Sequence, residues 1–280
     1  MTTMTLEQIA ARIPNGCKLA IPKDDSGVSM AATAALVARG VRNLHIVCVP
    51  TSGMQTEWLL HSGAIETLET SAITLREFGG APRFLQAVKT GTIRLLDATC
   101  PAVYAGMQAS QKGLPFMPLR GILDSDLLDA RDDWRVIDNP FGEADPIVAI
   151  KAIDPDVTLF HAQAADRFGN VFVGRDRDGL LLAHAARQAF VTVETIVEGN
   201  LLDDPARSGA VVPAMYVDGI AHVPQGAWPL GFGDHYPDNA DLLATYSAAA
   251  RDPKACEAWW QDCVAKAPWA ALLATADTPA

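Results

Sequence analysis

The stretch DPDVTLFHAQAADRFGNVFV, residues 154–173, decides how this chain folds. Behind the Pro155 breaker, Val157-Thr158-Leu159-Phe160-His161 is a short apolar, β-favouring run and reads as a buried strand. Asp166-Arg167-Phe168-Gly169-Asn170 follows, rich in residues that tolerate tight backbone, and reads as a turn. Val171-Phe172-Val173 resumes an extended pattern, so the chain doubles back here.

Upstream, the pattern alternates strand, loop and helix. Leu6, Ile9, Ala10 and Ile13 recur at helical spacing and stop at Pro14-Asn15-Gly16. A first strand over 18–21 ends at Pro22, and Lys23-Asp24-Asp25-Ser26-Gly27 is a polar loop before the alanine-rich helix Met30–Arg39 and its Gly40 stop. A second strand, 43–49, leads through the turn Pro50-Thr51-Ser52-Gly53 into a helix containing Trp58 and Leu60. This order predicts an α/β fold with an open, mainly parallel sheet and helices on both faces. Ligands of such sheets sit beyond the carboxyl ends of the strands, which makes the loops 22–27 and 50–54 candidate pocket walls.

Downstream, 92–96 reads as a third strand, Asp97-Ala98-Thr99-Cys100-Pro101 as its loop and 102–112 as its helix. Two prolines in Gly113-Leu-Pro-Phe-Met-Pro118 break that helix and leave an extended segment. A short helical turn over 124–131, a polar loop over 132–143 and a strand over 146–150 precede the opening stretch. After it come a helix over 180–188 and the longest β-branched strand, 190–197, expected at the centre of the sheet. A short strand or hairpin over 215–223 and a rigid loop over 224–233 follow. The chain closes with helices within about 238–266, with Asp238 or Asn239 and Asp252 as N-caps. The last ten residues carry little pattern. No repeat, linker or charge block divides the chain, so one domain over 1–280 is expected.

Composition narrows the function. Apolar residues make up 49% and charged residues 20%, values of a globular protein. A net charge of -11 argues against nucleic-acid binding, which needs concentrated positive surface. Cys17, Cys48, Cys100, Cys256 and Cys263 are odd in number and lack CxxC spacing, so they predict reduced thiols rather than disulfides or a metal site. With no secretory leader and no apolar run approaching the ~18 residues of a membrane span, a cytoplasmic protein without membrane or nucleic-acid partners is expected.

The pattern His161-Ala-x-x-Ala-Asp166 followed by x-x-Gly169-Asn170 resembles a signature of the family I coenzyme A transferases, in the branch of the glutaconate CoA-transferase α subunit. Val191-Thr-Val-Glu194-Thr-Ile-Val-Glu198, Gly113-Leu-Pro-Phe-Met-Pro118 and the Pro224-x-Gly226 turn occur in the family's order, and the resemblance spans most of residues 15–250. It implies the CoA-transferase (NagB-like) fold, coenzyme A as substrate with no tightly bound cofactor, and a homologous β subunit in a heterodimer or heterotetramer. That β subunit is expected to carry the nucleophilic glutamate, which takes CoA from an acyl-CoA as a glutamyl-CoA thioester and hands it to a carboxylic acid. Glu194 and Glu198 are then read as strand carboxylates with a hydrogen-bonding role, not as nucleophiles.

Two other readings stay open. A ring-opening hydrolase of steroid catabolism shares the fold but uses an α-subunit glutamate in the loop that corresponds to 97–101. No glutamate occurs between Glu77 and Glu143 here, which leaves Asp97 or Cys100 for that place. A non-catalytic ligand-binding homologue is the third reading. It draws on the loop 21–27, where Pro22 and Lys23 stand in place of the family's glycine-rich run. His161 reads either as an acid or base or as a satisfied group ending a buried strand. Lys23 and Ser26 in the first loop, Ser52 and Gly53 in the second, and Gly226, which offers no Cβ to a pantetheine chain, are candidate pocket residues. Trp228, Phe232, Tyr236, Trp259, Trp260 and Trp269 are expected to pack helices or an interface, and no catalytic role is read for His235 or Tyr236.

Overall fold

The computed structural model describes residues 3–175 and 177–274. Seven strands of the main sheet run parallel, in the spatial order Arg94–Asp97, Ile65–Thr70, Leu44–Val49, Lys18–Pro22, Val157–Asp166, Gln188–Val197 and Gly219–His222. Alternation along each strand feeds two cores. Leu19 and Ile21 face one side, with the helices Leu6–Arg12, Met30–Arg39 and Met54–His61. Ala20 faces the other, with the helices Cys100–Gln111 and Asp178–Ala185. Burial on both faces explains the near-continuous apolar runs.

The strand that opens the sequence reading continues to Asp166 rather than ending at His161, because it pairs along its length with Gln188–Val197, from Val157↔Gln188 to Asp166↔Val197. Its alanines and Gln163 have little β propensity, and the neighbouring strand overrides it. Lys18–Pro22 pairs only with the first part, at Leu19↔Val157 and Ala20↔Thr158. Beyond that, the chain turns at 166–170 and Val171–Phe172 comes back antiparallel against Ala165 and Ala164, then pairs in turn with Val211–Val212. The expected doubling back is present.

Several other expectations change. Gln188–Val197 is next to the edge strand Gly219–His222, and Lys18–Pro22 holds the middle of the parallel order. A long apolar strand reports two covered faces, not a central place. The strand Ile65–Thr70 and the helix Pro82–Thr90 escape the sequence reading; the first is mostly polar, while the second does carry Pro at its start and Gly91 in the left-handed region at its end. Residues 134–138, read as loop, are the strand Trp134–Asp138, which with Phe116–Leu119 flanks Pro146–Lys151 in a separate antiparallel sheet. Pro118 is accommodated there because Phe116–Leu119 is an edge strand. The helix read over 180–188 is Asp178–Ala185, leaving Gln188 to the next strand. Residues 215–223 hold a 3-10 turn, Ala214–Tyr216, before Gly219–His222.

The helices Ala240–Ala249 and Pro253–Ala265 are capped as expected by Asn239, which accepts from the Leu242 amide at 3.2 Å, and by Asp252, which accepts from Ala255 at 2.8 Å. They cover the first core through Tyr246, Cys256 and Trp260, and Trp58 meets Trp260 edge-on at 6.1 Å. A last helical turn spans Ala270–Ala274, and the rest of the unpatterned tail lies outside the described residues. Among the described residues no helix is long and apolar enough to cross a membrane.

Candidate functional site

Two neighbouring strands change character toward their carboxyl ends. On the face that carries Val157 and Leu159, alternation brings His161 and then Gln163; on the paired strand Phe190 is followed by Thr192 and Glu194. The register sets His161 opposite Thr192. His161 is 2% exposed and Glu194 8% exposed.

Glu194 is the hub of a hydrogen-bond network. Its Oε1 accepts from His161 Nε2 at 2.6 Å and from the Tyr236 hydroxyl at 2.8 Å, and its Oε2 accepts from the Gln225 amide at 2.8 Å. Tyr236 accepts in turn from the Ala227 amide at 3.1 Å. The other imidazole nitrogen, Nδ1, lies 2.8 Å from Thr192 Oγ1, which is 2.7 Å from Ser29 Oγ. Burial lowers the His161 pKa more than the Glu194 carboxylate raises it, so the ring is neutral. The network then assigns the proton to Nε2, with Thr192 donating to Nδ1 and Ser29 donating to Thr192. Burial works to raise the Glu194 pKa, but its three donors reverse this and hold the group below its ordinary value as a carboxylate. Tyr236 is pushed upward by burial and by that charge. Every polar atom of the hub has a partner, so the cluster holds geometry rather than offering a lone pair to a substrate.

Two segments close over His161, one at Gly27 and one that carries Gly226 and Phe232. The Gly27 carbonyl oxygen accepts from the His161 amide at 2.6 Å, and Gly27 has φ +79°, with a Cβ there falling 2.1 Å from the His161 carbonyl oxygen. Gly226 lies against the ring, where a Cβ would be 2.8 Å from Cε1 and Nδ1. Phe232 meets the ring edge-on, with centroids 4.7 Å apart. Beyond Phe232 opens a cavity of about 900 Å³, whose walls include Ser26, Gly27, Gln163, Arg175, Phe232 and Gly233.

The residues nominated from the sequence divide. Ser26 lines the cavity, with its hydroxyl 3.3 Å from Asp178. Lys23 Nζ stands 3.7 Å from Asp25 and 3.9 Å from Asp178. Ser52 is buried, and the Gly53 and Met54 amides donate to Asp24 at 3.0 Å each, so Asp24 caps the helix Met54–His61 and clasps the two nominated loops together. Burial raises Asp24 to about 6 against those amides. Neither Ser52, Gly53 nor Gly226 lines the cavity, although Gly226 packs on His161.

Asp97 and Cys100 lie on the opposite flank of the sheet, with three strands between Arg94–Asp97 and Val157–Asp166. Asp97 is exposed and accepts from its neighbour Ala98 at 2.9 Å; Cys100 is exposed in the first turn of its helix, 3.1 Å from Ser71 Oγ. The Asp-x-x-Gly-Asn element proves to be a clasp. Asp166 accepts from the amides of Phe168, Asn170 and Leu201 and from the Asn170 side chain, all within 2.8–2.9 Å. No group of three or more metal-ligating side chains occurs among the described residues.

Sequence reasoning treated Glu194 as a hydrogen-bonding strand carboxylate but did not join it to His161, and it gave Tyr236 and Gln225 no part. The available signal was alternation: once the two strands are aligned in register, His161, Thr192 and Glu194 share one face.

Residues 3–222 match the family described as Coenzyme A transferase. The A-type chain of the 3-oxoadipate CoA-transferase of Pseudomonas knackmussii is 30% identical over 264 residues, 91% of each chain. The cholesterol ring-cleaving hydrolase IpdA subunit of Rhodococcus jostii is 31% identical over 193 residues, 66% of this chain and 64% of that one. The crystal structure of glutaconate coenzyme A-transferase from Acidaminococcus fermentans shares the fold, with a TM-score of 0.82 at 23% identity over 94% of this chain and 88% of that one. With the family match over most of its length and an A-type relative aligned across nearly all of it, the chain belongs to the family I coenzyme A transferases and is of their α-subunit type.

Proposed function

We propose that this chain forms an enzyme with a homologous β subunit, and that the pair moves CoA from an acyl-CoA to a free carboxylic acid through a glutamate of that β subunit. The observation that carries the placing of the nucleophile on the partner is the state of Glu194: both its oxygens are occupied by donors. A carboxylate held by three donors, and not among the residues that line the cavity, is not placed to attack a thioester there, and the cavity beyond Phe232 has room for one carried in by another chain.

The chemistry is covalent catalysis by a weak nucleophile. The partner's glutamate attacks the thioester carbonyl, giving a mixed anhydride and the CoA thiolate. The thiolate attacks the glutamyl carbonyl, releasing the first acid and leaving glutamyl-CoA. The incoming carboxylate attacks that thioester, and the freed thiolate completes the new acyl-CoA while the glutamate is regenerated. Each tetrahedral intermediate needs preorganised donors, each worth about 3 kcal/mol. CoA is a substrate here, and its distant contacts assist the reacting centre.

The test is to incubate the complex of this chain and its β-type partner with an acyl-CoA, treat with borohydride or hydroxylamine, and locate the modified residue by mass spectrometry. A modified glutamate on the partner and none on this chain is expected. A label on Glu194 would overturn the assignment. CoA release into water with no trapped glutamate would instead favour hydrolysis, the reading to which the Rhodococcus jostii relative lends weight.

A further inference from the structure

The loop 224–237 has no regular strand or helix to hold it, yet it supplies Phe232, Gly233 and Asp234 to the cavity wall. Its attachment to the sheet is concentrated at its two ends. At one end the Gln225 amide donates to Glu194 Oε2; at the other the Tyr236 hydroxyl donates to Glu194 Oε1. The same hydroxyl accepts from Ala227, which ties the ends to each other. A backbone bridge between Phe232 and Tyr236, with the Phe232 amide donating to the Tyr236 carbonyl at 2.9 Å, carries the order on to the cavity residues.

We propose that Glu194 is a positioning residue: its carboxylate latches both ends of the 224–237 loop over His161 and thereby sets the wall against which the acyl-CoA binds. Two features make this more than general stabilisation. First, one carboxylate serves both ends of one loop, so its loss releases both ends together, while the Gly226 carbonyl keeps the Ala31 amide at 3.0 Å and the Pro229 carbonyl keeps the Asn239 amide at 2.9 Å. Second, Phe232 is seated between the His161 ring, at 4.7 Å edge-on, and the His235 ring, stacked at 5.4 Å. His161 is itself oriented by Glu194. The floor under Phe232 and the tether of its loop therefore depend on the same group. The carboxylate form is required, because Oε1 and Oε2 both face donors; an amide at this place sets an N–H against at least one of them.

The experiment compares Glu194→Gln and Tyr236→Phe with the wild-type full chain. In hydrogen exchange, both variants are expected to speed the amides of residues 225–236 by about tenfold or more while leaving the helix Cys100–Gln111, which does not touch the loop, as protected as before. In the complex with its β-type partner, KM for the acyl-CoA is expected to rise about tenfold, with kcat changed by less than about threefold. Tyr236→Phe is the gentler variant and keeps the test open if Glu194→Gln folds poorly. Unchanged exchange in the loop would overturn the latch, and so would a loss of protection spread evenly over the chain. The kinetic arm rests on the transferase reading, whereas the exchange arm does not: a loosened loop without measurable CoA transfer would leave the latch standing and count against the transferase alone.

Discussion

Glu57 and Glu194 are two buried glutamates with nearly the same company and opposite behaviour. Glu57, on the helix Met54–His61, accepts from the amides of Arg83 at 3.0 Å and Phe84 at 2.7 Å and from the Tyr246 hydroxyl at 3.1 Å. Glu194 accepts from one amide, one tyrosine hydroxyl and the His161 ring. Burial pushes Glu57 up to about 7 despite its donors, whereas the donors of Glu194 win and hold it low. Two things make the difference: Glu57 is fully enclosed, at 0% exposure, while Glu194 retains 8%, and Glu194 has the His161 ring as its strongest partner where Glu57 has backbone amides. One carboxyl staples the first turn of the helix Pro82–Thr90 to the helix Ala240–Ala249, where ionisation only costs stability. The other must be charged to hold a loop. A count of hydrogen bonds does not separate a structural carboxyl from one that shapes a site; solvation and the kind of donor do.

A third carboxylate marks the far end of the comparison. Glu69 is paired with Arg131 at 2.6 Å, and Arg131 also binds Asp133 at 2.8 Å and lies 4.2 Å from the centroid of the Trp134 ring. Arg131 is 2% exposed. Replacing it by Ala leaves Glu69 buried with only His45 Nε2, 3.4 Å from its other oxygen, and this should be the largest effect, a loss of about 3–5 kcal/mol in denaturant unfolding. A loss under about 1 kcal/mol would show that water reaches Glu69 and that the pair belongs with surface bridges.

Next in size is the pH dependence of Glu57. A carboxyl raised from 4.5 to about 7 disfavours ionisation in the folded state by about 3 kcal/mol. The sign follows from the raised value: the contribution is fully present below about pH 4.5, and it is lost as pH rises through about 7. Wild type should therefore lose stability between about pH 5 and 8 relative to Glu57→Gln, in which this slope is absent. Parallel melting curves for the two across that window would refute the assignment. Glu194 predicts the reverse sign, since its folded value is lowered: its contribution is present above the ordinary carboxylate range and fades only as pH falls through the lowered value.

Smaller still is Gly226→Ala. Its Cβ at 2.8 Å from the His161 ring forces the imidazole or the loop to move, at about 1–3 kcal/mol of overpacking. Thermal melts measure it, and a KM increase resembling that of Tyr236→Phe would place both on one device. The smallest effect is expected at Asp97→Asn and Cys100→Ser. Both lie outside the cavity lining, so transfer rates should stay within about twofold. A large loss in either, with CoA still released to water in wild type, would move the chemistry to the opposite flank of the sheet.

Much of the framework is legible in the chain alone. Pro22, Gly40 and the 166–170 turn punctuate the chain where the elements do end, and the apolar runs at 18–22, 44–49, 157–161 and 190–197 are strands because both faces of the sheet are covered. The motif around His161 and Asp166 marked the family and the end of the sheet at which the cavity lies. What failed was the order and extent of strands. Ile65–Thr70 is mostly polar, and its buried Glu69 is paired with Arg131, 62 residues away, so its periodicity resembles no buried strand. Residues 134–138 become a strand only because Pro146–Lys151 pairs with them.

The sequence by itself determined the α/β class, the family and the carboxyl-end location of the ligand loops, because local propensity, alternation and breaker residues act over a few positions and leave a readable trace. Only the tertiary structure decided which side chains work together. His161, Glu194, Gln225 and Tyr236 come from separated stretches, and their meeting depends on strand register and on a loop folding back. Whether Glu194 is charged, and Glu57 resists charge, depends on how far each lies from water and on which donors reach it, properties of the packed molecule that no stretch of chain carries alone.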